Sequence, residues 1–176
     1  FKDAAALEAA ASLDAVVLDK TGTLTNGEPE VVEIVLPEKA PVGVEELLAV
    51  AAAAEAGSEH PLAHAIIQAA KTRRVELPAV HYFEAVPGYG LRAHVGQRAV
   101  IIGNRKLLDD AGIEPDNLHE RSQTLAGDGR TVIYVALDDQ FAGLIAVADA
   151  PRATARQAIA ELRKLDLDPV MLTGDN

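Results

Sequence analysis

Runs of apolar residues broken at regular places divide this chain into strands and helices. Ala15-Val16-Val17-Leu18 is a continuous apolar run that ends on a carboxylate, Asp19, the pattern of a buried strand. Glu30 to Leu36 alternates toward a β-branched strand, and Pro37 to Val42 reads as a loop. Glu45 to Ala56 has helical spacing and closes at Gly57. A second helix follows to about Arg74, with Ser58 as its expected cap and Pro61 in its first turn. The period then shortens. His81 to Val86, Leu91 to Val95 and Arg98 to Ile102 read as short strands joined by Pro87-Gly88-Tyr89-Gly90 and Gly96-Gln97. Short helices are expected over Arg105 to Ala111 and about Asn117 to Ala126. A hairpin is expected from Thr131 to Leu137 and Phe141 to Ala148, turning across Asp138-Asp139-Gln140. Ala153 to Leu165 is an amphipathic helix, and Asp168 to Leu172 is an apolar strand leading into Thr173-Gly174-Asp175-Asn176. At the other end, Phe1 to Ser12 reads as an Ala-rich helix.

The two ends thus carry pieces of a parallel sheet, and the middle carries antiparallel strands with helices. That is an insertion pattern. The expected boundaries are residues 1–28 and 146–176 for the outer domain and 29–145 for the inserted one. Composition narrows the class. The chain has 176 residues, 49% of them hydrophobic, but only 3% are aromatic, so the core must be aliphatic and rich in Ala. There is no Cys, which removes thiolate metal sites and disulfides. The formal charge of −11 is scattered, without a basic stripe, which argues against nucleic acid as a partner. The longest apolar stretch, Leu47 to Ala54, is too short to span a bilayer, and no signal peptide is expected.

Candidate chemistry begins at Asp19-Lys20-Thr21-Gly22-Thr23-Leu24-Thr25. A carboxylate at the carboxyl end of a parallel strand sits where α/β folds place their chemistry. It can attack phosphorus, and the small hydroxylated residues after it can wrap a phosphate with N–H groups and hydroxyls. The heptapeptide resembles the phosphorylation signature of the P-type ATPases. A second constellation, Glu55, Glu59-His60-Pro61, Gly88-Tyr89-Gly90 and Gly103-Asn104, resembles the nucleotide-binding domain of the heavy-metal-transporting P1B group. The resemblance runs over essentially the whole chain.

It implies a haloacid-dehalogenase-like parallel α/β phosphorylation domain, present in part, with an inserted α+β nucleotide-binding domain built on an antiparallel sheet. It implies ATP held by Glu55, His60, Gly88, Gly90 and Asn104. The residues are suited to this. Glu55 can accept from an exocyclic amine, and a neutral His60 offers a ring nitrogen and a flat face. Gly88 and Gly90 allow close approach to a base, and Asn104 can brace the loop or bind the ligand. With so few aromatics, stacking on Phe or Trp is not obviously available. The same resemblance implies phosphoryl transfer to Asp19 beside Lys20, Thr21, Thr173 and Gly174, with Mg²⁺ on Asp19 and the Thr21 carbonyl.

Asp149-Ala150-Pro151-Arg152 reads either as a helix start with Asp149 near its cap or as the family's Asp and basic residue that approach the nucleotide. The family's later Gly-Asp-Gly-x-x-Asn-Asp motif, whose carboxylates help to hold Mg²⁺, does not occur. The actuator and transmembrane segments expected as partners in the same chain do not occur either. The segment therefore reads as a monomeric, ATP-binding piece at the cytoplasmic face of a membrane pump, binding ATP without turnover. Gly103-Asn104-Arg105 and Ala142 to Asp149 look like copper-pump sequences, with zinc, cadmium and cobalt left open. The competing expectations are a haloacid-dehalogenase-type phosphatase and a non-catalytic nucleotide-binding module. Such phosphatases carry a second Asp two residues after the nucleophile, where this chain has Thr21. The remaining histidines, His64, His81, His94 and His119, read as ordinary surface residues.

Overall fold

The computed structural model describes residues 13–172. The expected helix over residues 1–12 lies outside them, as do Thr173, Gly174 and the rest of that loop. The chain divides into two compact units, one of Phe1–Glu28 with Asp149–Asn176 and one of Pro29–Ala148.

In the first unit, β1 (Ala15–Asp19) pairs in parallel with β8 (Asp168–Leu172), so that Asp19 lies opposite Leu172. Between β1 and the next strand, Lys20–Leu24 forms one π-helical turn. Helix α5 (Ala155–Lys164) precedes β8 and carries no buried residue.

The second unit is built on an antiparallel sheet. Its strands are β2 (Thr25–Val35), β3 (Val80–Val86), β4 (Gly90–Val95), β5 (Arg98–Gly103), β6 (Thr131–Leu137) and β7 (Gln140–Pro151), in the order β2-β7-β6-β5-β4-β3. Residues 29–35 of β2 and 140–148 of β7 belong to this unit. Helices α1 (Val44–Glu55) and α2 (Pro61–Thr72) cover one face. On the other lie α3 (Arg105–Asp110), a 3₁₀ turn (Asp116–Leu118) and α4 (His119–Gly127).

Burial follows from these layers. β4 has helices against one face and alternates, with Leu91, Ala93 and Val95 buried. β5 and β6 are covered on both faces and read as continuous apolar runs. Val100, Ile102, Ile133 and Val135 face α1 and α2, whereas Ile101, Tyr134 and Ala136 face the other side. The register skips a residue on β7 between Phe141 and Gly143, so Ala142 and Ile145 reach the same core although three positions apart. Helix α1 is buried along its whole length from Leu47 to Glu55, because a run of alanines lets neighbours close in on every side. Leu47, Leu48 and Ile66 are fully buried, and each contributes about 1.5–3 kcal/mol over an exposed position.

Three local expectations need correction. The cap of α2 is His60, not Ser58: the His60 Nδ1 accepts from the Leu62 N–H at 3.2 Å. The Ser58 hydroxyl instead accepts from the His60 N–H at 3.3 Å. The hairpin between β6 and β7 is a two-residue loop, Asp138-Asp139, with φ of 51° and 62° and Leu137 paired to Gln140. Two left-handed residues give the loop the twist that the flanking strands require. Finally, Asp149 is not at a helix cap. It lies within β7, and α5 begins six residues later.

Candidate functional site

In the first unit the site is the turn after β1. Asp19 is exposed at the strand end, and Lys20 to Leu24 fold over in the π-helical turn. The turn is held from within and from β7. The Thr25 hydroxyl accepts from the Gly22 N–H at 3.1 Å. It lies 3.1 Å from the Lys20 carbonyl and 2.5 Å from Asp149 Oδ2. Asp149 also accepts from the N–H groups of Gly27 (3.1 Å) and Glu28 (3.3 Å). Arg152 donates from its guanidinium to the Gly22 carbonyl at 2.8 Å and from its backbone N–H to the Leu24 carbonyl at 2.8 Å. Thr25 is the buried member of this set, at 7% exposure. A buried hydroxyl with its donor and acceptor capacity both used fixes the turn at its C-terminal end. Asp149 and Arg152 therefore act on the loop that carries Asp19. Lys20 lines an open hollow of about 750 Å³ together with Arg152, Arg156 and Arg163, a local excess of positive charge in an acidic chain.

In the second unit, a cavity of about 430 Å³ lies beside the end of α1 and the start of α2. Glu55, His60, Gly88, Gly90 and Asn104 all line it. Their roles differ. Glu55 ends α1 and is only 8% exposed. Burial raises its carboxyl pKa above the ordinary value, opposed by a hydrogen bond from Ser58. With Nδ1 already accepting from Leu62, a neutral His60 carries its proton on Nε2.

The two glycines separate. Gly88, at φ 78°, has open space where a Cβ would stand. Gly90, at φ 143°, faces Gly103 so closely that a Cβ would fall 2.0 Å from the Ile102 carbonyl oxygen and 2.5 Å from the Gly103 Cα. Gly90 thus serves the approach of β4 to β5, and Gly88 leaves the rim open. Asn104 is a brace. Its Oδ1 caps α3 by accepting from the Leu107 N–H at 3.1 Å, and its Nδ2 donates to the Gly88 carbonyl at 3.2 Å.

A Phe ring for stacking, not evident in the sequence, is present here. Phe83 and Tyr89 both line the cavity and are 37% and 39% exposed. Alternation along β3 holds the signal for Phe83, since it shares a face with Ala85 and with their partners Ala93 and Leu91. What the alternation does not show is that Phe83 lines a cavity and stays 37% exposed. Among the described residues no group of three His, Cys, Asp or Glu assembles as a metal site, and His64, His81, His94 and His119 are exposed.

The family model of the haloacid dehalogenase-like hydrolases matches residues 13–176. A copper-exporting P-type ATPase of Bacillus subtilis is 43% identical over 179 residues, covering 100% of this chain and 22% of that protein. A silver-exporting P-type ATPase of Salmonella typhimurium is 43% identical over 176 residues, with 100% and 21% covered. A crystal structure of a zinc-transporting PIB-type ATPase in an E2.Pi state superposes with a TM-score of 0.74 at 37% identity, over 98% of this chain and 27% of that one. The chain spans about one fifth of the length of these curated relatives. It belongs to the haloacid dehalogenase-like hydrolase family, and along its whole length it matches the catalytic region of the heavy-metal P-type ATPases.

Proposed function

We propose that the cavity of the second unit binds ATP and that Asp19 accepts the γ-phosphoryl group, as part of a pump that moves copper(I) across a membrane. The observation that carries this reading is that Glu55, His60, Gly88, Gly90 and Asn104, far apart in sequence, line one cavity. Glu55 as a carboxylate accepts from the adenine amine, and the His60 Nε2–H donates to a ring nitrogen. A guanine would turn its carbonyl toward Glu55 and lose that bond. Such a contact is worth about 1–3 kcal/mol.

In the transfer, a carboxylate oxygen of Asp19 forms a bond to the γ-phosphorus as the bond to the bridging oxygen breaks, and ADP leaves with the electron pair. Lys20 offers positive charge to the transferring group. Asp149 and Arg152 hold the turn so that Asp19 meets the phosphate in one position. Misplacement by about 1 Å costs on the order of a hundredfold in rate. The exposed Asp19 carboxylate and the Thr21 carbonyl are hard oxygen donors of the kind Mg²⁺ takes. When bound, Mg²⁺ supplies neutralisation of the phosphate charge. Thr21 stands where a phosphatase would need a general base, which favours a lasting aspartyl-phosphate over a free-standing phosphatase. The actuator and membrane segments of the same chain, and a place at the cytoplasmic face, belong to this reading.

The test uses an intact pump that contains this segment. Labelling with γ-labelled ATP, acid quench and hydroxylamine treatment should show an acyl phosphate in the wild type. Asp19→Asn should abolish it while ATP still binds. Label that persists in Asp19→Asn removes Asp19 as the acceptor.

A further inference from the structure

We infer that Phe83 is the platform on which the nucleotide base lies and a determinant of the cavity's preference for purines. This rests on the nucleotide reading of that cavity.

The argument starts from the sheet. Phe83 and Ala85 on β3 stand opposite Ala93 and Leu91 on β4, so the four share a face. Ala93 and Leu91 are 2% and 3% exposed, in the core that α1 and α2 also line. One strand further out, Phe83 is 37% exposed on the same face. Phe83 lines the cavity there together with Leu91 of β4 and Ile102 of β5. A large aromatic ring 37% exposed at a cavity wall is not filling a core. In a chain with six aromatic residues, placing two of them around one cavity singles that cavity out.

The ring is also held in place. A Cβ on Gly57 would lie 3.7–3.8 Å from Phe83 Cγ, Cδ2 and Cε2, nearly equidistant from three neighbouring ring atoms, so the turn after α1 backs one face of the ring. That turn links Glu55 at the end of α1 to His60 at the start of α2. The same contact therefore fixes the ring relative to the two polar groups that would read the edge of a base. Tyr89, the other aromatic of the cavity, is less suited, because the Lys106 ammonium already sits 5.5 Å from its ring centroid. A flat apolar ring beside one acceptor and one donor is the arrangement that recognises a heteroaromatic base, by stacking for affinity and by hydrogen bonds for identity.

The experiment uses the full 176-residue chain and ATP, read by proton NMR and by calorimetry. On binding to the wild type, the adenine H2 and H8 resonances should move upfield and show cross-relaxation with the Phe83 ring protons. Phe83→Leu keeps apolar bulk and removes the π-face. It should lose the upfield shift, weaken ATP binding roughly five- to a hundredfold, and narrow the gap between ATP and CTP. Tyr89→Leu should keep the shift. If Phe83→Leu retains a native amide spectrum, wild-type affinity and the same ring shifts, the platform is wrong and the nucleotide pocket stands. If the wild type binds no ATP, the pocket reading fails and this inference fails with it. Should Phe83→Leu not fold, cross-relaxation from the wild-type Phe83 ring to adenine decides alone: present, it supports the platform, and absent, it overturns it.

Discussion

Glu55 is a carboxylate that water barely reaches, and that has a consequence for stability with a definite sign. Burial raises its pKa in the folded chain above the ordinary 4.5, opposed by the Ser58 hydrogen bond. As pH rises past 4.5, the unfolded chain releases this proton first and the folded chain keeps it. The contribution of Glu55 to stability is therefore complete below 4.5 and is lost as pH climbs through the folded value. Glu55→Gln removes that loss. Its melting temperature near pH 7 should be no lower than that of the wild type, and should vary less with pH above 4.5. Its ATP affinity should fall by about 1–3 kcal/mol. Thermal melts across pH, paired with calorimetry, separate the two effects, and a Gln variant that is both less stable and equally good at binding would make Glu55 a structural residue.

The two glycines give a second contrast at this scale. Gly90→Ala places a Cβ inside the backbone of β5 and should unfold or part the β4–β5 pair. Gly88→Ala meets open space and should cost only the left-handed conformation, about 1–2 kcal/mol. Chemical denaturation of both variants checks this, and equal losses would contradict it. The motif Gly-x-Gly was legible in the sequence, but the division of labour was not. It depends on how near β5 runs to β4, which no single residue encodes.

At the scale of elements, what could be read was whatever depends on a repeat or a local rule. The alternation of β4, the two-sided apolar runs of β5 and β6 and the helical spacing of α1 and α2 all correspond to observed elements. Some of the misreadings are local, as at the His60 cap and the Asp138-Asp139 loop, and others lie where a distant partner decides. β2 runs unbroken from Thr25 to Val35 through the turn-prone pair Asn26-Gly27, where the Gly27 and Glu28 N–H groups find Asp149, more than a hundred residues away. The ring of Phe83 reads as one more strand residue until the cavity it lines is known.

Helix α4 shows the same dependence in another form. Only Ser122 and Leu125 of α4 are buried, so packing holds it weakly. Glu33 on β2 pairs with Arg121 of α4 and, at 2.8 Å, with Arg130 just beyond it. The Arg121 hydrogen bond, then the nearby guanidinium charges, hold the Glu33 carboxyl below its ordinary 4.5. Its support is thus present above 4.5 and lost as pH falls through the depressed value. These groups are partly exposed, so solvent screening limits the loss in Glu33→Gln to about 1 kcal/mol. Hydrogen exchange should show faster exchange in α4 for that variant, with β4 and β5 unchanged. An α4 that exchanges as in the wild type would mean that Leu125 alone anchors it.

Across the whole molecule, apolar burial is distributed very unevenly. Among the described residues, every buried hydrophobic side chain lies between Val42 and Val147, within Pro29–Ala148. The described part of the other unit has a single buried residue, Thr25, and that residue is polar. Val17, Val170, Met171 and Leu172 on its two strands are 62%, 44%, 56% and 61% exposed, and α5 buries nothing. A two-stranded sheet with an uncovered face is marginal in water. Burial supplies the dominant favourable term in folding, so the two units should differ sharply in local stability. Native-state hydrogen exchange of the 176-residue chain should show β4, β5 and β6 protected up to the global unfolding free energy. Amides of β1, β8 and α5 should exchange by local opening at far lower cost. A chain reduced to residues 29–148 should then keep a dispersed amide spectrum and a melting temperature within a few degrees of the parent, since the core stays with it. Protection in β1 and β8 equal to that in β5, or a collapse of the 29–148 chain, would show instead that the strands around Asp19 stabilise the unit of residues 29–148. The exposed apolar strand residues would then have to be explained as part of one cooperative core.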